Sequence, residues 1–310
     1  MRKVLFIVNP ASAGGRTLAR WNAIRPKVER AHFEFDVKLT KSRGYGVMLA
    51  EEAVESREYD VVVSVGGDGT ANEIINGLMA SQASSEQRPL FTIFPSGTGS
   101  DSVRTLGISQ DIDSFLRMVE THAPKWIDIG KVRFVSDTQK CSRYFLNACD
   151  VGMGAAVAQA VNSMNQDSAK KSGKSKYFRS ILKQVFKFKP FDGTYVVGDQ
   201  HDELRQTVIV AICNGMFFGG GVKVSPASKM DDGVLELVAT DQISKWGLLG
   251  LVSKIYTGSH VGHPKIQFQR AKTFEIKLKQ PQLLETDGEI QGAVTDIEFS
   301  VVPCGVKVLC

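Results

Sequence analysis

Residues 61–79 constrain this chain more than any other stretch. The run Val61-Val62-Val63-Ser64-Val65 meets Gly66-Gly67-Asp68-Gly69-Thr70-Ala71-Asn72-Glu73, and Ile74-Ile75-Asn76-Gly77-Leu78-Met79 follows with apolar residues at helical spacing. A short β-branched run bounded by glycine reads as a strand buried on both faces, so the loop joins a parallel strand to a helix. Three glycines predict positive φ and a close approach of backbone to ligand, and the amides opening a helix favour an anion. Phosphate suits such a loop. Asp68 would repel it unless a magnesium ion lay between the two charges, so the loop points to a metal-bound nucleotide. A plain strand-to-helix turn, with Asp68 as its cap, is the alternative.

The same grammar recurs on either side. Residues 3 to 9 read as a strand ending at Asn9-Pro10, then the small-residue loop Ala11-Ser12-Ala13-Gly14-Gly15-Arg16, then a helix to about Arg30. Phe33, Phe35, Val37 and Leu39 alternate along a second strand, followed by a helix over about Tyr45 to Glu55. The strand Leu90 to Phe94 runs into Pro95-Ser96-Gly97-Thr98-Gly99-Ser100-Asp101. Four β-loop-α units predict a doubly wound α/β domain with a parallel sheet, and ligands in such sheets sit beyond the carboxyl ends of the strands. Three glycine-rich loops fall at those ends and can converge on one crevice.

After Trp126-Ile127-Asp128-Ile129-Gly130 the pattern changes to short strands separated by turns: Arg143 to Ala148, Thr194 to Val197, Thr207 to Cys213, Gly233 to Ala239, Thr273 to Leu278 and Ile297 to Val301. That predicts an all-β second domain, sandwich or barrel, with a boundary near residue 129.

Of the 310 residues 43% are hydrophobic and 23% charged, an ordinary globular balance. No apolar run approaches the length of a membrane span, and the first residues lack a secretory cleavage pattern, so a cytoplasmic protein is expected. A net charge of +5 is too mild to suggest nucleic-acid binding. Cys141, Cys149, Cys213, Cys304 and Cys310 are scattered, which supports neither a disulfide framework nor a zinc site. One segment is strongly basic. Lys170, Lys171, Lys174 and Lys176 precede Tyr177, Phe178, Ile181, Leu182, Val185 and Phe186, which recur at helical spacing. Such a helix lies on an anionic membrane or packs its apolar stripe on the β domain, and the lysines favour an acidic surface either way.

Phosphoryl transfer needs phosphates held, charge neutralised by a metal, and a base beside the acceptor hydroxyl. The chain has no P-loop and no protein-kinase signature. Asp68 and Asp101 are the carboxylates nearest the glycine loops and the candidates for holding magnesium.

Six motifs occur in order: Asn9-Pro10; Gly66 to Glu73; Gly97-Thr98-Gly99-Ser100-Asp101; Gly219-Gly220-Gly221 with Ser225-Pro226-Ala227; Asp231-Asp232-Gly233; and Asp287-Gly288-Glu289. In this the chain resembles soluble bacterial diacylglycerol kinases and related lipid kinases over nearly its whole length. The resemblance implies an ATP-binding α/β domain over residues 1–128, completed by residues 291–310, and a β-sandwich over residues 129–290. It implies ATP contacts at Asn9, Pro10, Ala11, Ser12 and Ala13, at Thr40, at Gly66, Gly67, Asp68, Gly69, Thr70, Ala71, Asn72 and Glu73, and at Gly97 and Thr98. The base implied is a carboxylate of the last motif, Glu289 or Asp287; chemistry alone does not choose between them, and Asp-Gly also makes hairpin turns. A second, structural magnesium is implied at the Asp232 side chain with the carbonyls of Lys229 and Val234, where a capped turn is the alternative. Ser100 stands where the family usually has asparagine, and Ala13 where it commonly has glycine.

The activity so implied is ATP-dependent phosphorylation of a diacylglycerol-like lipid, by a cytoplasmic enzyme peripheral to the inner face of an anionic membrane. An NAD kinase-like phosphotransferase shares the G-G-D-G-T loop, and a non-catalytic nucleotide- or lipid-binding protein on the same fold would keep the phosphate loops without needing Glu289. Neither composition nor spacing fixes the oligomeric state, for which a homodimer is one alternative.

Overall fold

The computed structural model describes residues 1–96, 100–136, 139–167 and 186–310. Gly97 and Thr98 of the third loop, and the basic stretch from Lys170 to Val185, lie outside the described residues.

Strands β1 (Lys3–Val8), β2 (Glu34–Leu39), β3 (Val61–Gly66) and β4 (Leu90–Pro95) form a parallel sheet in the order β2-β1-β3-β4. Helices α1 (Arg16–Val28), α2 (Tyr45–Ser56), α3 (Asp68–Ala80), α4 (Asp101–Leu106) and α5 (Ile112–Thr121) connect and follow these strands. Every residue of β3 is buried, as the unbroken valine run requires of a strand covered on both faces. Its neighbour β1 supplies Phe6, whose ring lies 5.0 Å from Trp21 of α1. β2 is the outer strand, and there the expected alternation fades: Phe35 and Val37 are half-buried and Leu39 is exposed.

The second half is built on antiparallel strands: β5 (Lys125–Ser136), β6 (Gln139–Phe145), β7 (Ala148–Gly152), β8 (Phe191–Val197), β9 (Gln200–Thr207), β10 (Ile209–Cys213), β11 (Leu235–Thr240), β12 (Ile266–Ala271), β13 (Thr273–Thr286) and β14 (Glu289–Val308). Val132, Phe145, Phe191, Val210, Leu237, Phe274, Ile276 and Phe299 form its own core. The fold is therefore the expected one, a parallel α/β sheet with a β-sandwich.

Among the described residues two long helices interrupt the strand grammar, α6 (Met153–Asp167) and α7 (Lys245–Thr257). The intervals read as helix-poor thus hold two helices. α6 is rich in glycine and alanine at its start, and α7 carries two glycines in a nearly continuous apolar run, so neither shows a clean period.

β14 links the halves. It begins in the hairpin with β13, pairs along its length with β5, and ends with Val308 parallel to Phe91 of β4. The Leu309 amide donates to the Phe91 carbonyl at 2.9 Å. The end of the chain is thus an additional strand of the first sheet.

Candidate active site

The loops after β1 and β3 meet as expected. Asn9 Nδ2 donates to Thr70 Oγ1 at 3.0 Å, while Asn9 Oδ1 accepts the Ala11 amide at 3.0 Å. The first loop then turns through three residues of positive φ, Ala13 at 53°, Gly14 at 66° and Gly15 at 86°. Ala13 therefore takes a left-handed conformation that an L side chain resists.

The glycines of the second loop work differently from the sequence expectation. Gly66, Gly67 and Gly69 all lie outside the positive-φ residues. Space matters at two of them. A Cβ on Gly66 would sit 2.4 Å from Thr70 Oγ1, and one on Gly69 would sit 2.8 Å from Glu289 Oε1. The last motif, more than two hundred residues away in sequence, thus rests directly on the opening turn of α3.

Asp287 and Glu289 face opposite ways. Asp287 and Gly288 form a two-residue hairpin turn with φ of 46° and 89°, so the hairpin reading of Asp-Gly is correct and the turn also presents the motif. The Asp287 carboxylate points inward. It accepts the amides of Leu146 (2.7 Å), Asn147 (2.9 Å) and Ala148 (3.0 Å), and Nδ2 of Asn72 at 2.8 Å. Burial raises its pKa to about 6 against those donors. Glu289 points out to the crevice, with its side chain 32% exposed and Arg43 Nη2 at 2.6 Å. Its pKa is raised by burial and by Glu73, and held down by Arg43.

The other acidic residues also divide by what they hold. Asp68, at the first turn of α3, accepts the Ser102 amide at 3.2 Å and stays half-buried at the crevice. Asp101 accepts the amides of Gly220 (2.7 Å) and Gly221 (2.6 Å) and pairs with Arg104 at 2.9 Å. Its carboxyl is pushed up by burial, with the two amides opposing and the Asp68 charge adding. Both Asp101 oxygens thus fasten the three-glycine turn, whose residues all have positive φ. Glu73 accepts the amides of Gly44 (2.7 Å) and Gly46 (2.9 Å) and so fixes the loop leading into α2. Thr40, buried at the end of β2, donates its amide to Val8.

Asn72 of α3 donates to the Tyr144 carbonyl as well as to Asp287, and Asn76 one turn later exchanges hydrogen bonds with the Tyr144 backbone. These amides join the two halves. Asn76 and Arg43 belong to none of the motifs read from the sequence.

Neither does a buried carboxyl pair behind the hairpin. Asp150 and Glu285 are cross-strand partners in β7 and β13, and both are completely buried. Asp150 Oδ2 accepts the Ala155 amide at 3.1 Å, and Glu285 Oε2 accepts the Gly288 amide. Burial drives both carboxyls up, and the second oxygen of each, Asp150 Oδ1 and Glu285 Oε1, is buried without a hydrogen-bond partner among the described residues. Asn162 of α6 donates to the Gly288 carbonyl at 3.1 Å. Both backbone groups of the turn glycine are thus held from behind.

The residues expected at a structural magnesium are otherwise engaged. The Asp232 carboxylate pairs with Arg270 and accepts the Val234 amide at 3.3 Å, while the neighbouring Gly233 amide goes to Asp128. The Arg270 pairing would have to break for Asp232 to join Lys229 and Val234 around a cation. As arranged, these groups make a capped turn, and among the described residues no cluster of three metal-binding side chains forms. Among the described residues Asp68 accepts a single backbone amide, that of Ser102.

Comparison with known proteins is consistent along the chain. Residues 3–132 match the diacylglycerol kinase catalytic domain, and residues 147–310 match the YegS C-terminal NAD kinase beta sandwich-like domain. Similar proteins include the diacylglycerol kinase of Staphylococcus aureus strain JH9, 30% identical over 273 residues (86% of this chain, 79% of that protein). That of Staphylococcus haemolyticus is 29% identical over 295 residues, covering 94% of this chain and 84% of its own. Among solved structures, a candidate diacylglycerol kinase from Bacillus anthracis str. Sterne superposes with a TM-score of 0.76 at 25% identity, over 99% of this chain and 96% of that one. Yeast NADH kinase shares the fold alone, with a TM-score of 0.51 at 12% identity, over 99% of this chain and 82% of that one. With both halves matched, the chain belongs to the diacylglycerol kinase family.

Proposed function

We propose that this chain is an ATP-dependent lipid kinase that transfers the γ-phosphoryl group to the hydroxyl of a diacylglycerol-like lipid. The observation that carries this reading is the placement of Glu289: a half-buried carboxylate seated against Gly69, at the mouth of the phosphate-type loop. Asp287, the alternative base, is consumed by four donors in the interior.

In this reading the loops at Asn9 to Ala13, Thr40, Gly66 to Glu73, and Gly97 and Thr98 hold the nucleotide. A magnesium ion brought with ATP would neutralise phosphate charge, with Asp68 as its protein ligand. Glu289 takes the proton from the lipid hydroxyl as that oxygen bonds to the γ-phosphorus, and the bond to the bridging oxygen breaks to release ADP. Burial favours this role by raising the carboxyl's proton affinity, with the Arg43 charge opposing that rise. Asp101 is a positioning residue that fixes the three-glycine turn. The functional division follows the two cores: residues 1–128 with 306–310 hold ATP, and the residues between them, which include Ile297 and Phe299 of the second core and so shorten the expected 291–310 return, supply the acceptor side at an anionic membrane.

The test is transfer from labelled ATP with magnesium to diacylglycerol in mixed micelles, with NAD as a parallel acceptor. Labelled phosphatidic acid is expected, and Glu289→Gln should lower kcat by about 10²–10⁴-fold, with a small change in KM for ATP. Label in NAD alone, or full activity in Glu289→Gln, would refute the proposal.

A further inference from the structure

Helix α7 shows its aromatic side to solvent. Ser244 caps it by accepting the Gly247 amide at 3.0 Å, and Gly258 ends it with φ of 78°. Leu248, Leu251 and Ile255 turn inward with Ile243 and pack against Val208, Phe188, Ile209 and Met153. Trp246, on the other side, is 76% exposed, and Tyr256 is 57% exposed. Phe186 is 40% exposed and sets its ring edge-on to Trp246, with centroids 5.8 Å apart and planes at 72°. Lys245 Nζ donates to the Phe186 carbonyl, fastening this strip to the start of the helix.

The two segments that carry these rings are basic. Lys187, Lys189, Lys245 and Lys254 are exposed there, and neither residues 186–190 nor residues 242–257 contain an acidic side chain. An open tryptophan beside a second ring, with lysines on both segments that carry the rings, matches the water–bilayer boundary: the indole sits at headgroup depth and the ammonium groups meet anionic phosphates. Purely electrostatic capture of an acidic protein would not need two rings in the open.

The surface is also coupled to the hairpin turn. Met153, the first residue of α6, packs in the cluster under α7, and Asn162 nine residues later holds the Gly288 carbonyl. That is about 14 Å along a helix axis.

We infer that Trp246 and Phe186, with Lys187, Lys189, Lys245 and Lys254, form an interfacial anchor that seats the β domain on an anionic phospholipid bilayer. The functional purpose rests on the lipid-kinase reading, because it would bring the turn carrying Glu289 to a membrane-borne acceptor; the binding itself does not depend on catalysis.

The test uses the full chain with vesicles of phosphatidylglycerol and phosphatidylcholine, without ATP or diacylglycerol. Trp21 is buried and Trp126 lies under Lys307, so Trp246 is the tryptophan placed to respond. A blue shift in emission, quenching by doxyl-labelled lipid, and sedimentation with vesicles are expected. Trp246→Ala should abolish the added quenching and weaken vesicle binding about tenfold or more. Replacing the four lysines by glutamine should remove the dependence on anionic lipid. Both variants should keep kcat toward a water-soluble short-chain diacylglycerol, which also reports that they fold. Unchanged vesicle binding by Trp246→Ala would overturn the anchor, as would light scattering showing a dimer that this substitution dissociates. Vesicle binding through Trp246 without transfer to any lipid would leave the anchor standing and remove the kinase reading instead.

Discussion

Asp287 and Glu289 are two residues apart, yet the structure gives them unlike tasks. Asp287 gathers three backbone amides and the Asn72 amide in a buried site, so Asp287→Ala leaves four donors without their acceptor. A loss of at least about 3 kcal/mol in denaturant unfolding is expected, since each stranded buried donor costs about 1–3 kcal/mol. Glu289→Gln should leave the unfolding midpoint nearly unchanged; equal destabilisation by both would contradict the division. The Asp150 and Glu285 pair adds a pH dependence. Burial raises both carboxyls, and Glu285 is raised further by the nearby Asp150 and Asp287 charges. The folded state therefore holds a proton that the unfolded chain has already released, so stability is greatest below the ordinary carboxyl range and falls as pH rises toward neutrality. Asp150→Asn removes one of the two buried carboxyls, while Glu285 and Asp287 stay raised by burial. Its melting temperature should fall less steeply than the parent's from mildly acidic to neutral pH; parallel slopes would exclude this account.

At the scale of elements, legibility followed periodicity. The valine run of β3 and the small-residue loops announced the parallel sheet because a strand covered on both faces has few ways to be polar. The helices α6 and α7 were hidden in a region of strands, although Ser244 and Gly258 stood at the ends of α7 as a recognisable cap and stop. The glycines were recognised but assigned the wrong physics. Gly66 is needed because Thr70 occupies the space of a side chain, and a Cβ at Gly69 would push on the Glu289 carboxylate, a contact that depends on a strand encountered only at residue 289. The choice between Asp287 and Glu289 was illegible for the same reason. A hairpin turn projects one carboxylate inward and the other outward, and only the neighbours Leu146, Asn147 and Gly69 say which is which. The Asp150 and Glu285 pair carried no motif at all, since its meaning lies in the register of β7 against β13.

Across the whole molecule, one strand ties the two cores together. β14 starts at Glu289, places Ile297 and Phe299 in the second core, and delivers Val306 and Val308, followed by Leu309, to the first. The residue proposed as the base and the last buried residues of the nucleotide half therefore lie on one continuous element. Further cross-links come from Asn72 to Asp287 and from Asn76 to Tyr144, so movement of either half is felt at the hairpin. Deleting residues 306–310 tests this coupling. It removes three fully buried apolar side chains from the first core, about 5–9 kcal/mol at about 1.5–3 kcal/mol each, which is comparable with the whole stability of an ordinary domain. The second core keeps its own contacts along β13 and β14. Calorimetry of the intact chain should therefore show one transition, whereas the shortened chain should expose Trp21 at low temperature and retain a separate later transition for the β half. Transfer activity should vanish with the first of these, although Glu289 and its hairpin remain folded. A shortened chain that still melts in one step, within about 2 °C of the intact protein, would show that β14 is a passive connector and that the two cores are joined chiefly through the asparagine cross-links.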